Sequence, residues 1–304
     1  MTGKRHVFIG GLHRSGTTLL AQVLGQHPEV SHFSQTGVIE DEGQFLQTVF
    51  QTDNDHGGPG RFAFDRQACL NESSGLVSAE NSRKLGQEWG RYWDGSKAVY
   101  IEKTPANLIR GRFLQALFPD SYFIFVLRHP VATSIATYKW SGTGIYSLLH
   151  HWVTAHETMR GDLPFLHRVL VVSYEGLMAE PAVIMRHIED FIGLKHHEYR
   201  VKFDPDMNAK YFDSWRTLFL SSVSRVKPVP PVGAVHAHKK MTLRNSWRRY
   251  LKGYIRKKLF GEDRQLSLTL YEAQDAVAMF EESVHKWGYS LLDLKKYENY
   301  PGKK

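Results

Sequence analysis

Four short apolar runs constrain the fold more than any other feature of this chain: "HVFIG" from His6, "AVYIE" from Ala98, "YFIFVL" from Tyr122 and "VLVVSY" from Val169. Each is rich in Val, Ile, Phe or Tyr and lacks polar alternation, the pattern of strands covered on both faces of a parallel sheet. Helical patterns separate them over residues 17–26, 78–93, 106–118, 131–140, 145–160 and 181–192, the last opening on Pro181, which suits a first helical turn. Strands alternating with helices predict an α/β fold, a P-loop-like parallel sheet flanked by helices. Ligand sites are expected at the carboxyl ends of the strands.

With 304 residues and 42% hydrophobic composition the chain can bury a large core. The expectation is a single domain over 1–304, with an α/β core at 1–203 and a C-terminal cap carrying a basic segment at 204–304. No apolar run approaches bilayer-spanning length, and Lys4 and Arg5 lead straight into the first strand. The single cysteine, Cys69, excludes an internal disulfide framework, and together these features predict a cytoplasmic location. Residues 51–60, "QTDNDHGGPG", read as a mobile loop, residues 226–238 as an extended connector, and residues 265–287 as a long helix.

The formal charge of +8 is local. Residues 239–258 hold nine Lys and Arg and no acid; the rest of the chain carries 30 basic against 31 acidic residues. One anionic partner at one place is implied, a membrane surface or a polyanion, and general nucleic-acid binding is excluded. Trp247, Tyr250, Leu251, Tyr254, Ile255 and Leu259 follow helical spacing within this stretch, which suits membrane contact, a polyanionic acceptor or packing on the core.

The stretch "VFIGGLHRSGTTLL" joins the first strand to the first helix through a glycine-rich turn. Backbone N–H groups in such a turn, added to the positive end of the helix, make an anion cradle. The spacing Gly11-x4-Gly16 is that of a Walker loop, but Thr17 stands where a nucleotide-hydrolysing enzyme carries lysine, and Arg14 sits inside the loop. Such a site holds phosphate while being poorly equipped to move a γ-phosphoryl group.

"GLHRSGTTLL" resembles the 5′-phosphosulfate loop of sulfotransferases, which use 3′-phosphoadenosine 5′-phosphosulfate (PAPS). "FIFVLRHPVATSIATYKW" resembles their 3′-phosphate segment, and "VVSYEGLMAEPAVIMRHIEDFIGL" their "YEDL…P…FLGL" segment, so the resemblance covers residues 6 to about 194. It implies that His13, Arg14, Ser15, Gly16, Thr17 and Thr18 hold the donor's phosphosulfate and that Arg128 holds its 3′-phosphate. The family's helix serine falls at Ala136, leaving Ser134 or Thr137 to supply that hydroxyl.

In this scheme Arg14 and the N–H groups of residues 15–18 stabilise the departing 5′-phosphate, no metal is required, and a base takes the acceptor's proton. Carboxylates are available in "TGVIEDEGQFLQ" and "IEKTP", the order of preference being Glu42, Glu40 and Glu102; the position used by tyrosine-sulfating relatives aligns with Gln35. Lys103 keeps the role of a donor-contacting lysine, with Pro105 in place of a family histidine. The expected acceptor is a hydroxyl or amine of a glycan, glycolipid or small metabolite. Two alternatives stay open, a P-loop-type small-molecule kinase and a catalytically silent nucleotide-binding or membrane-docking protein. The histidines at 150–151, 196–197, 236 and 238 lack accompanying ligands at metal spacing.

Overall fold

The computed structural model describes residues 3–223 and 272–295. Its five strands, β1 (Arg5–Gly11), β2 (Val30–His32), β3 (Val99–Lys103), β4 (Tyr122–Leu127) and β5 (Val169–Ser173), form one sheet in the order β2-β3-β1-β4-β5. Every pairing is parallel. The four expected strands are present; β2 was not foreseen, because three residues carry no periodicity.

Side chains alternate across β1, so Phe8 faces one side and Val7 and Ile9 the other. The two faces differ in kind. Phe8, Phe123 and Phe125 join Trp89, Trp93 and Trp152 in an aromatic-rich core, whereas Val7, Ile9, Ile124 and Val126 pack with Leu20, Leu24 and Ile188 in an aliphatic one. Helices α1 (Thr17–Leu24), α6 (Tyr174–Ala179) and α7 (Pro181–Ile192) contribute to the aliphatic layer. The aromatic layer receives α2 (Ala79–Gly90), α3 (Gly111–Leu117), α4 (Pro130–Ser141) and α5 (Ile145–Asp162).

Boundaries move for local reasons. Ser78 stays outside α2 as its cap, its hydroxyl accepting from the Asn81 N–H at 3.1 Å. The helix expected over 106–118 divides into a 3-10 turn, Pro105–Ile109, and α3, because Arg110 adopts φ −129° between them. That turn lies directly on β1: a Cβ on Gly10 would sit 2.6 Å from the Leu108 nitrogen and 2.9 Å from the Asn107 carbonyl carbon. The turn-rich residues 51–60 are packed, contrary to the expectation of a mobile loop. Asp53–His56 forms a 3-10 turn with a Thr52–Asp55 capping box, and Gly60 lies against Leu148.

Helix α8 (Ala209–Val223) was not foreseen, whereas α9 (Glu272–His285) lies inside the helical pattern read at 265–287. The segment 272–295 packs onto the core. Phe280 lies against His150 and Tyr146, and the Trp215 indole donates to the Leu291 carbonyl at 2.8 Å. The connector at 226–238 and the basic segment at 239–258 lie outside the described residues. Among the described residues no helix is long and apolar enough to cross a membrane.

In this sheet order, β1 connects toward one edge and β4 toward the other, which places a crevice beyond their carboxyl ends. Gly10 is a close-packed point beneath it, against backbone. Gly10→Ala is expected to destabilise the protein by about 1–3 kcal/mol through backbone displacement, read as a lower urea midpoint at unchanged m-value.

Candidate active site

β1 ends at Gly11 and α1 begins at Thr17, so residues 12–16 must reverse the chain in a single turn. Arg14 and Gly16 do this with left-handed backbones, φ 68° and 105°. At Gly16 a Cβ would stand 2.5 Å from the Tyr174 ring; at Gly11 it would stand 2.6 Å from Ser15 Oγ and 2.7 Å from the Val126 carbonyl. Glycine is therefore required at both positions by space as well as by conformation.

The first helical bond of α1 runs from the Leu20 N–H to the Gly16 carbonyl, so the N–H groups just before it precede the helix's own ladder. The Ser15 N–H is different. It donates to the Leu12 carbonyl at 3.0 Å, so the cradle's backbone donors begin at Gly16 and not at Ser15 as the sequence suggested. Ser15 Oγ is buried without a hydrogen-bond partner among the described residues. Arg14 is exposed, Thr17 buried, and Thr18 Oγ1 reaches Glu40 Oε2 at 3.4 Å.

Arg128 follows β4 directly and is buried. Its Nε and Nη2 donate to Asn208 Oδ1 at 3.0 and 2.7 Å, and Nη1 donates to the Arg14 carbonyl at 2.7 Å. The guanidinium lies over the rings of Tyr174, 4.1 Å away, and Tyr211, 5.5 Å away. The arginine thus ties the cradle to the chain after β5. Of the two hydroxyls considered on α4, Thr137 donates to the His13 carbonyl at 3.3 Å, while Ser134 is buried outside the cleft lining with no hydrogen-bond partner for its Oγ among the described residues.

Arg14, Arg128 and the cradle border a cleft of about 740 Å³ whose lining also includes His13, Glu42 and Asp53. Glu42 is 4% exposed. Its Oε1 lies 3.2 Å from Lys103 Nζ, and its Oε2 accepts from Gln44 Nε2 at 2.6 Å. Lys103 also donates to the Glu40 carbonyl at 2.8 Å. Burial raises the Glu42 carboxyl above its ordinary range, opposed by the charges of Lys103 and His13.

Across from it, His13 Nε2 lies 2.9 Å from Asp53 Oδ2, and Gln44 spans the two acids by accepting from the Asp53 N–H at 2.8 Å. Burial works against ionising Asp53, but the charge and contact of His13, with the Arg110 charge, hold it below its ordinary value. Donor atoms of His13, Glu42 and Asp53 lie within 4.8 Å of one another, a set with the ligand types of a divalent cation. Lys103 and Arg110 already balance the two carboxylates in charge.

The three carboxylates ranked from the sequence separate here. Glu42 is in the cleft, and Glu40 is exposed at its rim with a left-handed backbone, φ 54°. Glu102 does not line the cleft. It is buried behind Gly43, its Oε1 accepting from Thr104 at 2.6 Å and its Oε2 from Asn107 at 2.5 Å. Burial, partly offset by those two bonds, raises its pKa to about 7. Sequence reasoning missed Asp53, Gln44 and Asn208; a carboxylate in the glycine-rich run at 51–60 was the one available signal. The paired histidines fall elsewhere: His151 Nε2 accepts from the Ala63 N–H in the core, and His196 pairs with Asp190.

Residues 6–198 match the model of the sulfotransferase family, more than half of the sequence, and the chain belongs to that family. It is 28% identical over 207 residues to a protein-tyrosine sulfotransferase of Drosophila melanogaster, a match covering 63% of this chain and 40% of the relative. With protein-tyrosine sulfotransferase 2 of Gallus gallus it shares 27% identity over 208 residues, 63% of this chain and 53% of the relative. The chain thus spans about half the length of these curated relatives. Solved structures similar to it include the sulfotransferase STF9 from Mycobacterium avium, at 13% identity and TM-score 0.46, covering 88% of this chain and 79% of that one. Mouse sulfotransferase SULT7A1 complexed with PAP is another, at 14% identity and TM-score 0.41, covering 93% and 86%.

Glu102 carries a measurable pH signature. Its pKa is raised in the fold, from 4.5 to about 7, so the native state binds more protons than the unfolded chain between those values. Its contribution is full below the unfolded value and is lost as pH rises through about 7. Glu102→Gln should therefore gain on the wild type between pH 5 and 8, by up to on the order of 3 kcal/mol. Denaturant titrations at several pH values test this, and a difference that stays constant with pH would refute it.

Proposed function

We propose that the chain is a PAPS-dependent sulfotransferase that transfers a sulfuryl group to an acceptor hydroxyl, with Glu42 as the acceptor's base. The observation that carries this reading is the meeting, in one cleft, of a lysine-free phosphate cradle, a buried arginine at the strand switch point and a buried carboxylate. The cradle suits the donor: Gly11 and Gly16 allow close approach, N–H groups from Gly16 onward are left by the helix, and Ser15 Oγ is an orphaned polar atom beside them. PAPS, when bound, supplies an electron-poor sulfuryl group on a phosphate leaving group.

The residues then divide the work. Residues 16–18 and Arg14 hold the 5′ end, and Arg128 holds the 3′-phosphate. As the acceptor oxygen bonds to sulfur, the bond from sulfur to the phosphate oxygen breaks, and the electron pair leaves with the 5′-phosphate. Arg14 and the N–H groups stabilise that growing charge. The acceptor's proton passes to Glu42, whose burial strengthens it as a base while the Lys103 charge opposes that rise. The scheme routes no step through a metal.

The acceptor is a hydroxyl-bearing molecule of the glycan, glycolipid or small-metabolite kind, or a phenol. Phe45, Pro59, Pro105 and Trp140 in the cleft wall suit a ring-bearing acceptor, and the match to relatives named protein-tyrosine sulfotransferases supports a phenol among the candidates. A kinase is disfavoured by Thr17, buried at the Walker lysine position.

PAP should raise the melting temperature, by mass action on the folded state, and ATP with magnesium should do so weakly or not at all; equal stabilisation by the two would favour a kinase. Glu42→Gln should leave PAP affinity nearly intact and slow turnover by about a hundredfold or more. Arg14→Ala, by contrast, should impair both donor binding and turnover. Radiolabelled donor with an acceptor panel reads both variants, and full activity in Glu42→Gln would remove the assigned base.

A further inference from the structure

The Arg128 guanidinium is fixed on every side but one. It carries five N–H bonds, and the contacts described above use one on Nε, one on Nη1 and one on Nη2. One N–H on each terminal nitrogen is left without a partner among the described residues, enough donors for two oxygens of a single phosphate. The plane itself is set by the rings of Tyr174 and Tyr211.

What chooses this rotation is Asn208. Its Oδ1 accepts from Arg128 twice, and its Nδ2 donates to Glu175 Oε1 at 2.6 Å. The amide cannot turn over, because flipping would set an NH₂ against the guanidinium and an oxygen against the carboxylate. Glu175 is held in turn: the same Oε1 accepts from the His129 N–H at 3.0 Å, and Oε2 accepts from the Tyr289 hydroxyl at 2.9 Å. Asn208, Glu175 and Tyr289 are all buried. Asn208 and Tyr289 lie beyond residue 198, where the family match ends.

We propose that Asn208, locked by Glu175 and Tyr289, is a positioning residue that sets this enzyme's preference for a 3′-phosphorylated donor. The proposal rests on the reading of Arg128 as the 3′-phosphate ligand. Asn208 touches no donor atom in this scheme. It dictates which two N–H groups of the arginine are presented, and the C-terminal segment around Tyr289 thereby becomes part of the donor site although it does not line the cleft.

The test is the ratio of affinities for PAP and adenosine 5′-phosphate, measured by calorimetry on the full chain. Damage to the fold lowers both affinities; loss of arginine aim lowers the ratio alone. Asn208→Ala should reduce the ratio about tenfold with adenosine 5′-phosphate bound as in the wild type. A wild-type ratio in Asn208→Ala overturns the proposal. Should that variant not fold, Tyr289→Phe removes only a hydroxyl and carries the same test, with a ratio lowered roughly two- to threefold in support and an unchanged ratio against. Arg128→Ala separates the two layers: if it keeps the wild-type ratio, the assignment of the 3′-phosphate to Arg128 fails, and if it abolishes the preference while Asn208→Ala does not, only the positioning role fails.

Discussion

The turn after β1 is pressed so closely against its neighbours that two of its residues can carry no side chain. Gly16 faces the ring of Tyr174, at the start of the chain after β5, and Gly11 faces the Val126 carbonyl of β4. These contacts lock the loop to the carboxyl edge of three strands at once. With the loop fixed, the start of α1, the aim of its N–H groups and the path of Arg14 follow, and the Arg14 carbonyl becomes a fixed acceptor for Arg128. Everything in the cleft is referenced to this one close approach.

The charges around the cleft make little sense as sources of stability. Removing one member of a buried pair costs about 3–5 kcal/mol, yet replacing such a pair by well-packed apolar groups is often neutral or stabilising. Here Lys103 with Glu42, His13 with Asp53, and Arg128 with its Asn208 partner gather at the carboxyl ends of β3, β1 and β4. The two hydrophobic clusters on the faces of the sheet are aromatic and aliphatic. Of these groups, His13, Glu42, Asp53 and Arg128 line the cleft. Gln44 is the economical element, one amide holding Glu42 and the backbone of Asp53 in a common frame.

The four apolar runs were legible as buried strands because burial on both faces writes itself into consecutive residues, and the loop at 11–18 was legible because its glycines and its helix start are local. β2 was not, being three residues of mixed character paired to one neighbour. Arg128 could be placed from its position after a strand, but its partner could not, since Asn208 lies 80 residues further on in a stretch with no periodic signal. Tyr289 meets Glu175 across 114 residues. Glu42, in the acidic run after the first helix, and Glu102, at a strand end, were both candidates from the sequence. Only packing separates them, Gly43 leaving room for the Glu102 carboxylate to turn away from the cleft.

Thr17 has a consequence for how such loops diversify. Its side chain is 4% exposed, and its methyl lies within 2.9 Å of where a Cβ on Gly11 would sit. A lysine here would begin its four-carbon stem inside the protein, against the strand that supports the turn. A lysine at this position would have to leave that crowded base before its ammonium could enter the cleft, so exchanging this one residue also disturbs the contact that supports the turn. The spacing of glycines alone therefore does not set what such a turn can accommodate; the packing of the residue that follows the last glycine counts as well.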